Sequence, residues 1–193
     1  MRVALFGGTF DPIHNAHLAV AAAAAGQFHL DSVIFVPAAH PPHKSGVTHA
    51  PYEDRVRMAE LACRDHPGFA VSRLEEGTAR SYSIDTIGKV RAGLQPQDEL
   101  FFILGADAFA EIRTWYRWHE VASAVVFLVV SRPGHAYDVP AETRVERLDT
   151  LELTLSSSDI RRSLSVGEQP NGVPQCVLTY IYEKGLYTTK ILH

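Results

Sequence analysis

The chain has 193 residues, with 18 basic and 22 acidic side chains and a formal charge of -4. Hydrophobic residues make up 46% of it and charged residues 21%, an ordinary globular composition that excludes a disordered or low-complexity protein. The mild acidity excludes nucleic-acid binding by general charge attraction, and the length fits one domain that can build a core without disulfides or a structural metal.

In chain order, the apolar run 3–6 ends in glycines and predicts a first strand. The alanine-rich stretch 15–25 predicts a helix, because Ala is the best helix former, and Gly26 stands at its expected stop. Residues 33–36 predict a second strand, closed by Pro37. The stretch 38–51 carries Pro41, Pro42 and Pro51 with His40, His43 and His49, and reads as a long loop of the kind that often serves function. A helix follows over 53–64, with Val56, Ala59 and Cys63 on one face and Arg55, Arg57 and Glu60 turned elsewhere. A third strand is expected over 69–72, then a helix over about 83–92, capped by Ser83 or Asp85 and ended by Gly93.

The continuous apolar run 100–104 is the mark of a central parallel strand. Gly105 and a helical stretch through 112 come after it. Another buried strand is expected over 125–130, closed by Arg132-Pro133-Gly134. The region 136–155 is less regular, with room for a short strand, and 158–164 and 173–183 predict two terminal helices. This alternation is the pattern of an α/β fold with a parallel sheet. Cys63 and Cys176 stand at no metal-type spacing and are expected as free thiols in a reducing cytosol. The N-terminal apolar run is too short for a signal sequence, and 122–130 falls far short of the ~20 residues that span a bilayer. The expectation is a soluble, cytoplasmic protein with neither membrane nor nucleic acid as partner.

The strongest local signal is Gly7-Gly8-Thr9-Phe10-Asp11-Pro12-Ile13-His14-Asn15-Ala16-His17, between the first strand and the first helix. Ligands of open parallel sheets bind at the carboxyl ends of strands, beside such a helix start. Glycines allow close approach, and exposed amides with the helix dipole favour an anion. The run is neither a Walker P-loop nor G-x-G-x-x-G. His14 and His17, one helical turn apart, point to one side and can hydrogen-bond a polyphosphate. Read alone, they are equally compatible with a helix cap and a surface side chain. A metal pair would need a third ligand, and none stands at a telling spacing.

These residues resemble the H-x-G-H signature of the nucleotidyltransferase superfamily. Its second signature, I-S-S-T-x-I-R, is matched by Leu155-Ser156-Ser157-Ser158-Asp159-Ile160-Arg161. Between them, Pro41-Pro42-His43-Lys44, Ser81-Tyr82-Ser83-Ile84-Asp85-Thr86, Phe102-Ile103-Leu104-Gly105-Ala106-Asp107, Trp115-Tyr116 and Ser131-Arg132-Pro133-Gly134 fall in the order of the bacterial nicotinate mononucleotide adenylyltransferases. Tyr180-Ile181-Tyr182 and Leu186-Tyr187 also fit. Two positions depart from the pattern: Ala16 stands for the glycine of H-x-G-H, and Ser83 for the usual threonine.

The resemblance implies one nucleotidyltransferase domain over 1–193. Residues 1–150 would form a Rossmann-like, doubly wound parallel sheet of about five strands in the order 3-2-1-4-5, and 151–193 a small helical part with a phosphate-binding helix. It implies transfer of AMP from ATP to nicotinate mononucleotide, in NAD biosynthesis, with pyrophosphate released. His14, His17 and Arg161 are then the expected catalytic residues. Gly7, Gly8, Thr9, Phe10, Lys44, Gly105, Asp107, Arg132, Ser157 and Ser158 are expected at ATP, with His43 a weaker candidate. Ser83, Thr86, Trp115 and Tyr116 are expected at the mononucleotide. Mg²⁺ would arrive on the ATP phosphates, with no metal held by the protein itself. The sequence leaves the oligomeric state open, a homo-oligomer included. Rival readings are another transferase of the superfamily, such as a phosphopantetheine adenylyltransferase, and a nucleotide-binding regulator without catalysis.

Overall fold

A computed structural model of the chain describes residues 1–40, 48–78, 80–131, 136–149 and 155–188. Six strands form one sheet: β1 (Arg2–Gly8), β2 (Ser32–Pro37), β3 (Phe69–Val71), β4 (Glu99–Gly105), β5 (Val126–Ser131) and β6 (Arg144–Asp149). They lie in the order β3-β2-β1-β4-β5-β6, and every pairing is parallel. The helices are α1 (Asn15–Gln27), α2 (Tyr52–Cys63), α3 (Ser83–Arg91), α4 (Ala106–Ala110), α5 (Trp118–Ala124), α6 (Ser157–Ser165) and α7 (Gln175–Lys184). A 3-10 turn, Ile112–Thr114, joins α4 to α5.

Strands β1 to β5 are mostly apolar because both faces of the sheet are covered there, as parallel sheets require, whereas edge strand β6 is mostly polar and exposed. Alternation sorts their side chains. Ala4 and Phe6 of β1, Phe101 and Ile103 of β4, and Leu128 and Val130 of β5 pack with buried residues of α1, α2, α6 and α7. Val3 and Leu5, Phe102 and Leu104, and Phe127 and Val129 point the other way, onto α3, α4 and α5. The chain winds outward in both directions from the β1–β4 pair, which makes that pair the topological switch point. Its carboxyl edge, at Gly8 and Gly105, is where such sheets open a crevice.

Several expectations need correction. The sheet has six strands, not about five, because the irregular region after 136 supplies β6 on the edge of β5. Neither Ser83 nor Asp85 caps α3: Tyr82 holds the N-cap position without a side-chain bond. Helix α1 runs through Gly26 to Gln27, and His29, at φ 50, takes the left-handed turn instead. Helix α5 lies in a stretch with no separate helix expected. Arg55 does not sit on the polar face of α2; it is fully buried. Among the described residues no helix is long and apolar enough to cross a membrane.

Candidate active site

Strand β1 ends in Gly7-Gly8, and the chain then folds sharply across the sheet edge. Phe10 adopts a left-handed φ of 49. A Cβ on Gly8 would stand 2.8 Å from the Phe10 ring, so the turn closes only over glycine. The Phe10 ring is buried edge-on against Phe6 and His17, with centroids 5.7 and 5.1 Å away. Phe10 thus props His17 from behind.

His14 is the N-cap of α1, and His17 lies one turn on. Their rings stack, with centroids 3.8 Å apart and planes 25° apart. The His14 backbone N–H donates to Nδ1 of His17 at 3.2 Å. Accepting there fixes the neutral tautomer of His17, so Nε2 carries the proton and is its donor. His14 is only 4% exposed, and among the described residues its buried Nδ1 has no hydrogen-bond partner. Burial lowers its pKa to about 4, so the ring is uncharged at neutral pH. An orphaned buried imidazole nitrogen is costly unless a ligand uses it.

Asp11 is the anchor of the loop. Its carboxylate accepts from the amides of His49 at 2.7 Å and Ala50 at 3.1 Å, and from the Tyr187 hydroxyl at 2.7 Å. Burial alone would raise its pKa, but these donors and Arg161 outweigh that and hold it below the usual carboxylate value. The Tyr187 phenol is pushed up by its burial and by the Asp11 charge. Arg161, in the second turn of α6, donates to the Asp11 carbonyl at 2.6 Å and to Ser158 Oγ at 3.2 Å. Ser157 Oγ donates to the Pro12 carbonyl at 3.0 Å, and Ser156 caps α6 by accepting from the Asp159 amide. The two ends of the chain are thereby stapled together.

These groups line one cavity of roughly 540 Å³, at the carboxyl edge. Gly8, Thr9, Phe10, Asp11, His14, Ala16, His17 and His49 enclose it with Gly105, Ser156, Ser157, Ser158 and Arg161. A second cavity, roughly 300 Å³, opens on the other side of Gly8, Thr9, Phe6 and Gly105. Gly7, Glu75, Ser81, Tyr82, Ser83, Thr86, Phe102, Trp115 and Tyr116 line it. Trp115 is half-buried with its ring edge-on to Phe102, and Tyr116 is exposed beside Tyr82, ring centroids 4.5 Å apart.

The structure therefore gathers most of the expected residues into two adjoining chambers. Asp107 is the exception: it is exposed in the first turn of α4 and lines neither cavity. Thr86 lines the smaller cavity, with its hydroxyl proton donated to Glu75 at 3.0 Å. His43, Lys44 and Arg132 lie outside the described residues.

Sequence reasoning missed the groups that hold this edge in shape. Arg55 donates to the carbonyls of Thr9 at 2.7 Å, Ala38 at 2.8 Å and Ala50 at 3.3 Å, tying three loops together. Glu75 is buried, accepting from the Ala39 amide and the Thr86 hydroxyl. Nothing local distinguishes either from a surface charge; only tertiary placement does. Asp11 stood inside the strongest motif, where a carboxylate in a presumed anion site was itself a signal of an internal anchor.

The donor set does not fit a metal held by the protein. Among the described residues no group of three or more His, Cys, Asp or Glu could hold one. Asp11, the one carboxylate among the described residues lining the larger cavity, has its oxygens committed to two amides and a hydroxyl.

The family model described as cytidylyltransferase-like matches residues 5–163, from β1 into α6. The chain belongs to this family. The match reaches from the glycine turn to Arg161, the span that the larger cavity brings together. A protein of Solibacter usitatus named probable nicotinate-nucleotide adenylyltransferase is 67% identical over 187 residues, covering 97% of this chain and all of that one. One of Thermus thermophilus with the same name is 45% identical over 189 residues, again covering 97% of this chain and all of that protein. In three dimensions, the nicotinic acid mononucleotide adenylyltransferase of Plasmodium falciparum complexed with NaAD superimposes with a TM-score of 0.78 at 19% identity. It covers 96% of this chain and 97% of its own, a likeness of fold.

Proposed function

We propose that the protein transfers the adenylyl group of ATP to nicotinate mononucleotide, giving nicotinate adenine dinucleotide and pyrophosphate in NAD biosynthesis. One observation carries the reading. Two stacked imidazoles after β1 and a guanidinium on α6 face one cavity, which adjoins an aromatic-lined chamber across two glycines. The names of the two bacterial relatives support the choice of substrates.

In this reaction a phosphate oxygen of the mononucleotide attacks the α-phosphorus of ATP. The bond to the bridging oxygen breaks and pyrophosphate leaves. The nucleophile is already an anion, so positioning and charge stabilisation do the catalytic work. His17, with Nε2–H as donor, and Arg161 hold the phosphates, and His14 faces them with a neutral ring whose uptake of a proton from solvent a neighbouring polyanion favours. Amides of the Gly8-Thr9-Phe10 turn and the start of α6, with Ser157 and Ser158, add donors. Gly105 and Gly8 let the nucleotide lie across the switch point, its α-phosphorus between the two chambers. Trp115 stacks on the pyridine ring of the acceptor, with Tyr116 at the rim. Ser83 and the first-turn amides of α3 face its carboxylate, which favours nicotinate over nicotinamide. Mg²⁺ enters on the ATP phosphates as part of the substrate.

The test is pyrophosphate release from ATP and Mg²⁺, with nicotinate mononucleotide, nicotinamide mononucleotide and phosphopantetheine compared side by side. Release with the nicotinate acceptor well above both others is expected. Faster release with phosphopantetheine would move the protein to another acceptor, and ATP binding without turnover on any of them would remove catalysis.

A further inference from the structure

We propose that His49 is a substrate contact for the terminal phosphate of the triphosphate and for the departing pyrophosphate; the inference rests on the adenylyl-transfer reading above. His49 lies in the loop before α2, outside both sequence signatures. It lines the larger cavity and also an adjoining hollow of roughly 290 Å³, formed with Ser158, Arg161, Arg162, Ser165 and Tyr187. His49, Ser158 and Arg161 are common to the two spaces. The polar lining thus continues past Arg161, away from the glycine turn where the α-phosphorus would react. A triphosphate running from that turn toward α6 brings its last group here.

The backbone at His49 is tied to a fixed carboxylate, and the ring lies beside it. Its backbone N–H donates to Asp11 Oδ2 at 2.7 Å, and its Nδ1 stands 3.4 Å from the same oxygen. Asp11 is itself immobilised by Ala50 and Tyr187. With Nδ1 on the Asp11 side, Nε2 lies on the far side of the ring from the carboxylate. Among the described residues Nε2 of His49 has no hydrogen-bond partner, and the side chain is 53% exposed, open to an incoming anion. The neighbouring charges divide the labour. Arg162 is paired with Asp159 at 3.0 Å, so much of its charge is compensated. Arg161 spends its hydrogen bonds on a carbonyl and a hydroxyl, both neutral, and its charge acts on Asp11 through space without a direct ion pair. With Asp11 beside Nδ1, Nε2 is the ring atom left to meet a phosphate.

The experiment titrates inorganic pyrophosphate with Mg²⁺ into the free full-length protein by calorimetry, which requires no turnover and no acceptor. His49→Ala is expected to weaken pyrophosphate binding about fivefold or more, the scale of a charge-assisted hydrogen bond at a part-exposed site. AMP binding, measured in the same way, should stay within about twofold. His49→Lys should restore most of the pyrophosphate affinity, a rescue that a purely structural role would not give. In steady-state assays the alanine variant should raise KM for ATP and leave KM for the mononucleotide unchanged. Equal pyrophosphate affinity in wild type and His49→Ala overturns the proposal. So does an equal loss for AMP and pyrophosphate, or a wild type that does not bind pyrophosphate. Failure of the transferase reading shows separately, as absence of turnover with every acceptor.

Discussion

The two imidazoles of the first loop share a motif but not an environment, and their difference predicts different phenotypes. His17 accepts from the His14 amide at Nδ1, so its donor is Nε2–H whatever the state of its neighbours. Replacing it with alanine should lower turnover about 100-fold or more, the usual cost of a lost transition-state donor. Single-turnover rates at saturating ATP check this, and a near-normal rate would take His17 out of the chemistry. His14 is buried and uncharged, with a pKa lowered by burial from 6.5 to about 4. The unfolded chain binds that proton at the ordinary value, so between those limits it binds more protons than the folded one. Stability is therefore full above about pH 6.5, falls as pH drops toward 4, and stops falling on this account below it. The loss amounts to about 3 kcal/mol at most. Urea unfolding midpoints of the ligand-free protein from pH 7 to 4 should follow this curve, and His14→Asn should flatten it. The window lies above the titration of Asp11, whose pKa is held below 3.8, so the two effects separate.

Among the elements, α2 does most to shape the site while contributing no lining residue to either cavity. Its fully buried Arg55 holds the ends of the loops after β1 and β2, and the residue before Pro51, by three carbonyl bonds. Burial lowers the Arg55 pKa, and the Asp11 charge works the other way. Arg55→Ala strands three carbonyls, leaves a cavity and takes a cation from beside Asp11. We expect a loss of about 3 kcal/mol or more by chemical denaturation. Arg55→Lys should fall between, because an ammonium lacks the planar fork that reaches several carbonyls at once. This residue also marks the boundary of what sequence could reveal. Strands β1, β4 and β5 were legible because a doubly covered sheet writes continuous apolar runs, and the glycine turn because close approach admits nothing larger. His14, His17, Ser157, Ser158 and Arg161 were expected together because of the resemblance to the two superfamily signatures, and they line one cavity. Arg55 and Glu75 were not legible, since a buried charge and a solvated one read alike along a helix or loop. Edge strand β6 was blurred for a related reason: half-exposed, with Arg144, Glu146 and Arg147 in it, it lacks the apolar run that announced its neighbours.

At the scale of the whole molecule, the site depends on a contact between residues far apart in sequence. The family match ends at residue 163, yet Tyr187 comes back from beyond α7 to donate to Asp11 in the first loop. Helix α7 brings it there by burying Val177, Leu178 and Ile181 in the core shared with α1 and α2. The C-terminal segment thus clamps the same carboxylate that orders His49, and whose backbone carbonyl receives Arg161. Tyr187→Phe keeps the packing and removes one donor from a buried carboxylate. At neutral pH it should cost about 1–3 kcal/mol, the usual penalty for a charged group left a bond short. The pH dependence identifies the mechanism. Asp11 has a lowered folded pKa, so its bonds stabilise the fold above pH 3.8 and that contribution is lost as pH falls through the folded value. Without Tyr187 the folded pKa rises toward 3.8, the acid-labile part shrinks, and wild type and variant should converge in stability as Asp11 protonates. Denaturation of both proteins at pH 7 and pH 3 checks this. A gap that persists undiminished at the lower pH would show that the hydroxyl acts through packing and not through Asp11.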